Sequence, residues 1–164
     1  MRRHSFRASL ALAILSSLGL ASSLLAANEV PFKGTLDGSF TVIPVAPPAI
    51  NRHLNATGNA TQLGNFTYDF PHSVDRSVTP ATGIGYSTFT AANGDQVFAY
   101  VTGAATPVAP GVLHVLENGE ILGGTGRFEN ASGSFVIDRS IDTLNLTTSG
   151  SFNGTISSPG ASNR

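Results

Sequence analysis

Cysteine and tryptophan are absent from the 164 residues, and Lys33 is the only lysine. Without cysteine there is no disulfide framework, and no zinc or iron–sulfur centre built on thiolates. A secreted domain of this composition must hold itself together by packing and sheet hydrogen bonds. Basic residues are scarce past the N-terminal segment, six against ten acidic ones from Asn28 onward. A mildly acidic surface argues against nucleic acid as a partner, because phosphate recognition needs a basic patch. Helical periodicity is missing as well. Beyond residue 27 no window repeats its apolar residues at helical spacing.

What is present begins with a leader. Arg2, Arg3 and Arg7 form a basic region, Leu10 to Leu25 is apolar and uncharged, and Ala26-Ala27 offers a small-residue cleavage site. That order reads as a signal peptide over residues 1–27, which predicts an exported protein, secreted or periplasmic. The rival reading is a retained N-terminal anchor, since the apolar run is nearly long enough to span a bilayer. Once the leader is cleaved, no membrane span is expected. The remaining chain is about 135 residues, enough for one domain with one core. Residues 28–156 are read as that domain and 157–164 as a flexible polar tail.

Gly, Thr, Ser, Asn, Val and Phe dominate this domain, a composition for strands and turns. Alternation of apolar and polar residues marks strands at about 32–43, 51–60, 65–70 with an extension to Val74 left open, 82–91, 95–103, 112–122, 133–141 and 144–156. Leu36, Phe40 and Val42 share one face of the first, and Phe66, Tyr68 and Phe70 one face of the third. Leu144, Leu146, Phe152 and Ile156 are placed on one face of the last. Asn93-Gly94 predicts a tight hairpin between the fourth and fifth strands. Asn118-Gly119 lies inside the sixth, where a bulge or a split hairpin is the alternative.

Eight sequential strands with short connections predict an all-β fold, an eight-stranded antiparallel up-and-down barrel without edges. A two-sheet β-sandwich accepts the same pattern and stays open as the alternative. In a barrel, connections fall alternately at the two ends. The proline-bearing ones, 44–50, 71–80 and 104–110, would then border one mouth, and the tight ones at Thr61, Asn93-Gly94 and the glycines after Leu122 would close the other end. Eight strands leave an interior that side chains fill or that holds one small ligand. The proline-bordered mouth is the candidate site.

Gly123, Gly124 and Gly126 follow an apolar strand, Phe128 supplies one large plug, and Gly133 re-enters a strand. Such a cluster marks a sharp corner. Read as a phosphate-cradling loop it fails, because no helix and no lysine follow. No motif implies a cofactor. The corner Gly123-Gly-Thr-Gly-x-Phe128-x-x-Ala131-x-Gly133 closely resembles that of plant dirigent proteins. Together with Gly58-Asn-Ala-Thr-Gln-Leu-Gly-Asn-Phe66 and Asn93-Gly-Asp-Gln, it makes the chain similar to exported bacterial members of the allene oxide cyclase/dirigent-type barrel superfamily. The resemblance implies an eight-stranded barrel, trimers as a homo-oligomer, and a small apolar molecule as ligand. It carries over the fold and the corner only, and the chain lacks the cyclase's cysteine.

Residues for chemistry are few. Arg139 shares its face with Phe135, Ile137 and Ile141, so it should point into the barrel near the mouth. A buried arginine needs a carboxylate or several carbonyls, and Arg139 is the candidate polar anchor. Tyr68, Phe70, Phe98 and Tyr100 would line the cavity, and His114 is a candidate base or ligand contact of undetermined direction. The spacing of His53, His72 and His114 matches no metal motif, and no metal is expected. No nucleophile elbow and no glycosidase carboxylate pair is legible. Three readings follow: a barrel that binds or orients a small apolar or aromatic molecule, an isomerase or cyclase for an unsaturated substrate, and a filled structural domain.

Overall fold

Residues 28–157 are described by the computed structural model of the protein, so the predicted leader and the tail beyond Ser157 lie outside the described residues, while Ser157, read as the start of the tail, is buried strand. Eight strands run in chain order: β1 (Glu29–Pro44), β2 (Ile50–Ala60), β3 (Gly64–Asp75), β4 (Ala81–Ala91), β5 (Gln96–Ala109), β6 (Val112–Gly124), β7 (Gly133–Asp142) and β8 (Thr147–Ser157). Each pairs antiparallel with the next, and β1 also pairs with β8 from Glu29↔Ser157 to Ser39↔Thr147. That last ladder closes the cylinder and removes the sandwich alternative. The fold is an all-β, closed, antiparallel up-and-down barrel.

Connections 61–63, 92–95 and 125–132 lie at one end, and 45–49, 76–80, 110–111 and 143–146 at the other. Two strand limits, in β5 and β8, differ from the sequence reading, and β3 takes the longer of the two limits left open for it. β3 continues through Pro71 to Asp75, because the β3–β4 ladder has no registered pair at Phe70 and Pro71, where the missing donor does no harm. β5 continues through Pro107 to Ala109, with the irregularity absorbed by a register shift between those two residues. The third mouth loop is thus only Pro110-Gly111. β8 begins at Thr147, so Leu144 and Leu146 belong to a turn, exposed, with Leu146 in the left-handed region (φ 57). Asn118-Gly119 is ordinary strand, paired on both sides.

At the closed end, Gly126 (φ 56) starts a single 3-10 turn, Gly126–Phe128, that tucks Phe128 fully into the barrel. A side chain at Gly126 would collide with the Asp95 carboxylate. Arg127 straps the outside of this base, donating to the Gln62 carbonyl at 2.6 Å and lying 4.8 Å over the Phe128 ring. Above the plug, five rings fill the interior. Phe32, Phe66, Phe89, Phe135 and Phe152 lie with paired centroids between 5.0 and 6.0 Å, in tilted and edge-on contacts that aromatic quadrupoles favour. Inward glycines make room for them. Gly58 lies under the Phe66 ring and Gly119 under that of Phe135, each too close to accept a Cβ.

Candidate functional site

Going up the barrel from the rings, the inner wall changes character. Tyr68 and Phe70 on β3 form the last aromatic layer, both buried. Beyond them the inward positions carry Arg52 on β2, His72 on β3, Glu117 on β6, Arg139 on β7 and Thr148 on β8, with Val115 and Ile141 between. Glycine places these side chains. In the ladders Gly85 faces His72, Gly103 faces Glu117 and Gly150 faces Arg139. A Cβ at Gly103 would collide with the Glu117 side chain, and one at Gly150 would lie 2.5 Å from the Cβ of Arg139. Each long polar side chain therefore crosses the lumen over a neighbour that has none.

Arg139 and Glu117 form a buried, two-pronged ion pair. Nε donates to Oε2 at 2.8 Å and Nη2 to Oε1 at 2.6 Å, with both side chains almost wholly out of solvent. Nη1 donates to the Thr148 hydroxyl at 3.2 Å, which in turn donates to the Ser140 carbonyl at 2.7 Å. Burial works against the Arg139 charge, but the hydrogen bond and negative charge of Glu117 outweigh it and hold the guanidinium above its usual pKa. All three nitrogens of Arg139 are thus engaged inside the protein.

Arg52 is different. Its guanidinium lies 5.0 Å over the Phe40 ring, and its buried Nε–H has no hydrogen-bond partner. Burial, then the charges of Arg139 and Arg76, push its pKa down, and Glu117 only partly offsets them. An unpaired buried donor costs about 1–3 kcal/mol. His72 stacks on Phe70 with centroids 4.3 Å apart, and its Nδ1 lies 3.0 Å from the Phe70 carbonyl. A carbonyl only accepts, so Nδ1 carries the proton and Nε2 is left as an acceptor. Burial pushes the His72 pKa down, so the ring is neutral at pH 7. The Tyr68 and Ser87 hydroxyls, buried deeper, are close enough to influence each other but miss hydrogen-bond geometry. Burial drives the Tyr68 phenol far above its ordinary range.

The recess among these groups has about 20 Å³ of free space, room for about one water. Larger concavities lie on the outer wall, such as a groove of about 600 Å³ between Ile84 and Leu116.

The structure brings together Tyr68, Phe70 and Arg139 of the candidates. It puts three others, Phe98, Tyr100 and His114, outside. Tyr100 packs on the outer wall against Tyr86, centroids 5.4 Å apart, and Phe98 shares that face. The reason is parity: Val97, Ala99 and Val101 fill the inward positions of β5. His114 is exposed on the outer face of β6, 2.8 Å from Asp138, because Val115, Glu117 and Ile121 take the inward positions. His53 is outside too, 2.6 Å from Asp69, so the three histidines do not converge. No group of three or more metal-binding side chains occurs among the described residues. Gly123, Gly124, Gly126, Phe128 and Gly133 lie at the closed base, between the end of β6 and the start of β7. Arg52, Glu117 and Thr148 were missed from sequence.

The barrel has the fold seen in dirigent proteins. Among solved structures the chain is similar to the pterocarpan synthase dirigent protein PsPTS1, with a TM-score of 0.59 and 9% identity over 80% of this chain and 96% of that one. It is also similar to the pterocarpan synthase dirigent protein GePTS1, with a TM-score of 0.56 and 10% identity over 79% and 89% of the two chains. No protein-family model and no curated protein matches the sequence. At such identities the likeness is one of fold.

Proposed function

We propose that this barrel is an exported binding protein that holds or orients a small apolar or aromatic molecule at its mouth. The polar end of that molecule would sit among Arg52, His72, Glu117 and Arg139, and Val74, Val115 and Ile141 would meet its apolar body. One observation carries this reading: a barrel otherwise filled by rings keeps a cluster of buried charges at one end only. Burying ions is costly, and apolar residues of like volume would serve stability as well or better. Perturbed, buried ionisable groups in a recess are what binding and catalytic sites build. The dirigent-type fold of the neighbours supports the reading without specifying a ligand.

One observation favours a second reading. The recess is only about 20 Å³, which suits a filled structural barrel. Titration with benzyl alcohol, followed by backbone amide shifts, separates the two. Binding should move the amides of Val115, Glu117 and Ile141 and leave those of Phe32 and Phe128 in place. A flat response at the mouth, together with no molecule retained in native mass spectra of gently purified protein, would leave the filled barrel standing.

A further inference from the structure

We infer that the mouth is an anion subsite, and that the ligand of the proposed function carries a carboxylate which docks on Arg52. This rests on the mouth-binding reading and gives it a substrate class, small apolar or aromatic carboxylic acids. Arg139 is not the anchor, since Glu117 and Thr148 already occupy its three nitrogens. With His72 neutral, Arg52 and Arg139 face Glu117 alone inside the mouth, and one positive charge is left over. The nearby rim carboxylates do not offset it. Asp75 is turned to the backbone N–H of Ser77 and Asp142 to those of Leu144 and Asn145.

The unpartnered Nε–H specifies the shape of the missing group. Nε and the Nη beside it form one edge of the guanidinium, and a planar carboxylate meets such an edge with two parallel hydrogen bonds. Neutral His72 adds no second charge, so a monoanion balances the site. Phe40, which already underlies the guanidinium, would hold that edge in place while the apolar part of the acid extends toward the opening.

Two probes separate this inference from the reading beneath it. Formate has a carboxylate and no apolar body, whereas benzyl alcohol has a ring and no charge. Sodium formate should raise the melting temperature above that in sodium chloride of equal ionic strength, and Arg52→Gln should abolish the difference. Benzoate should bind at least tenfold tighter than benzyl alcohol to the natural chain, with the ratio falling to about one in R52Q. Arg52→Lys, which keeps the charge but loses the fork, should fall between. If R52Q responds to formate as the natural chain does, or benzoate binds no tighter than benzyl alcohol, the anion subsite is wrong even where benzyl alcohol binds at the mouth. If formate binds through Arg52 and benzyl alcohol does not bind, the subsite stands and the apolar reading falls.

Discussion

Glu117 is 5% exposed, and Arg139 reaches both of its oxygens inside the barrel. The stability of that arrangement lies in the match between the two, not in either side chain. Removing one partner leaves the other buried and uncompensated, a loss of about 3–5 kcal/mol, while replacing both with apolar groups of similar size is neutral or stabilising. Glu117→Gln should therefore lower the urea unfolding free energy by about that amount. The double change Glu117→Leu with Arg139→Met should restore it; equal losses in single and double variants would mean the pair is not the coupled unit described here. The inward direction of Arg139 was legible from its parity with Phe135, Ile137 and Ile141, and burial demanded a carboxylate. Which carboxylate was not legible. Leu116 and Leu122 give the outer face of β6 an apolar look, so parity alone did not say that Glu117 points in. A signal was nonetheless there: Gly85, Gly103 and Gly150 each face one of the long polar side chains, which becomes readable only once the strand register is known. Arg52 stayed hidden because the inward positions of β2 beyond Leu54 are small, Ala56, Gly58 and Ala60, and gave no sign of a charge at the mouth end.

At the scale of elements, the strands were legible wherever alternation was clean and less so where punctuation residues interrupted it. Pro71 and Pro107 read as loop and are strand, one at a gap in pairing and the other at a bulge. Leu144 and Leu146 read as strand and are turn, since Asp142 caps that turn with bonds to the N–H groups of Leu144 and Asn145. Asn118-Gly119 looked like a hairpin signal, but the glycine serves space and not a turn. It sits on the inner face with the Phe135 ring against it. Four strands meet at that contact, because Phe135 of β7, lying against Gly119 of β6, also packs on Phe32 of β1 and Phe89 of β4. Gly119→Ala should push the ring out of its rotamer and lower stability by about 1–3 kcal/mol, the usual cost of overpacking a filled core. The paired change Gly119→Ala with Phe135→Leu should recover part of it in the same urea titration. A Gly119→Ala protein as stable as the natural chain would show that the ring layer has slack, and the account of a filled lower barrel would fail.

For the whole molecule, the two ends of the cylinder differ in what holds them, and acid should discriminate between them. The ring layers and the Phe128 plug contain nothing that titrates near neutrality. The mouth does. Burial lowers the His72 pKa in the folded protein, whereas in the unfolded chain it returns to about 6.5. Below that value the unfolded state binds a proton that the folded state resists, so stability is highest above it and declines as pH falls. Hydrogen bonds from Ser77 lower the Asp75 pKa, and those from Asn145 and Leu144 lower that of Asp142, so their contributions are present above the usual carboxylate range and are lost below it. The stability curve should thus descend in two stages, one starting near pH 6.5 from the mouth interior and a later one from the rim turns. His72→Asn should flatten the first stage and leave the second. Unfolding midpoints measured across pH 8 to 3 check this, and an unchanged first stage in that variant would mean that another group loosens the barrel. Because burial, and after it Arg139 and Arg52, oppose the charge added to His72 more than the Phe70 carbonyl and Glu117 favour it, the mouth should open before the base. Amide exchange at Val115 and Ile141 should then quicken at a pH where Phe32 and Phe128 are still protected.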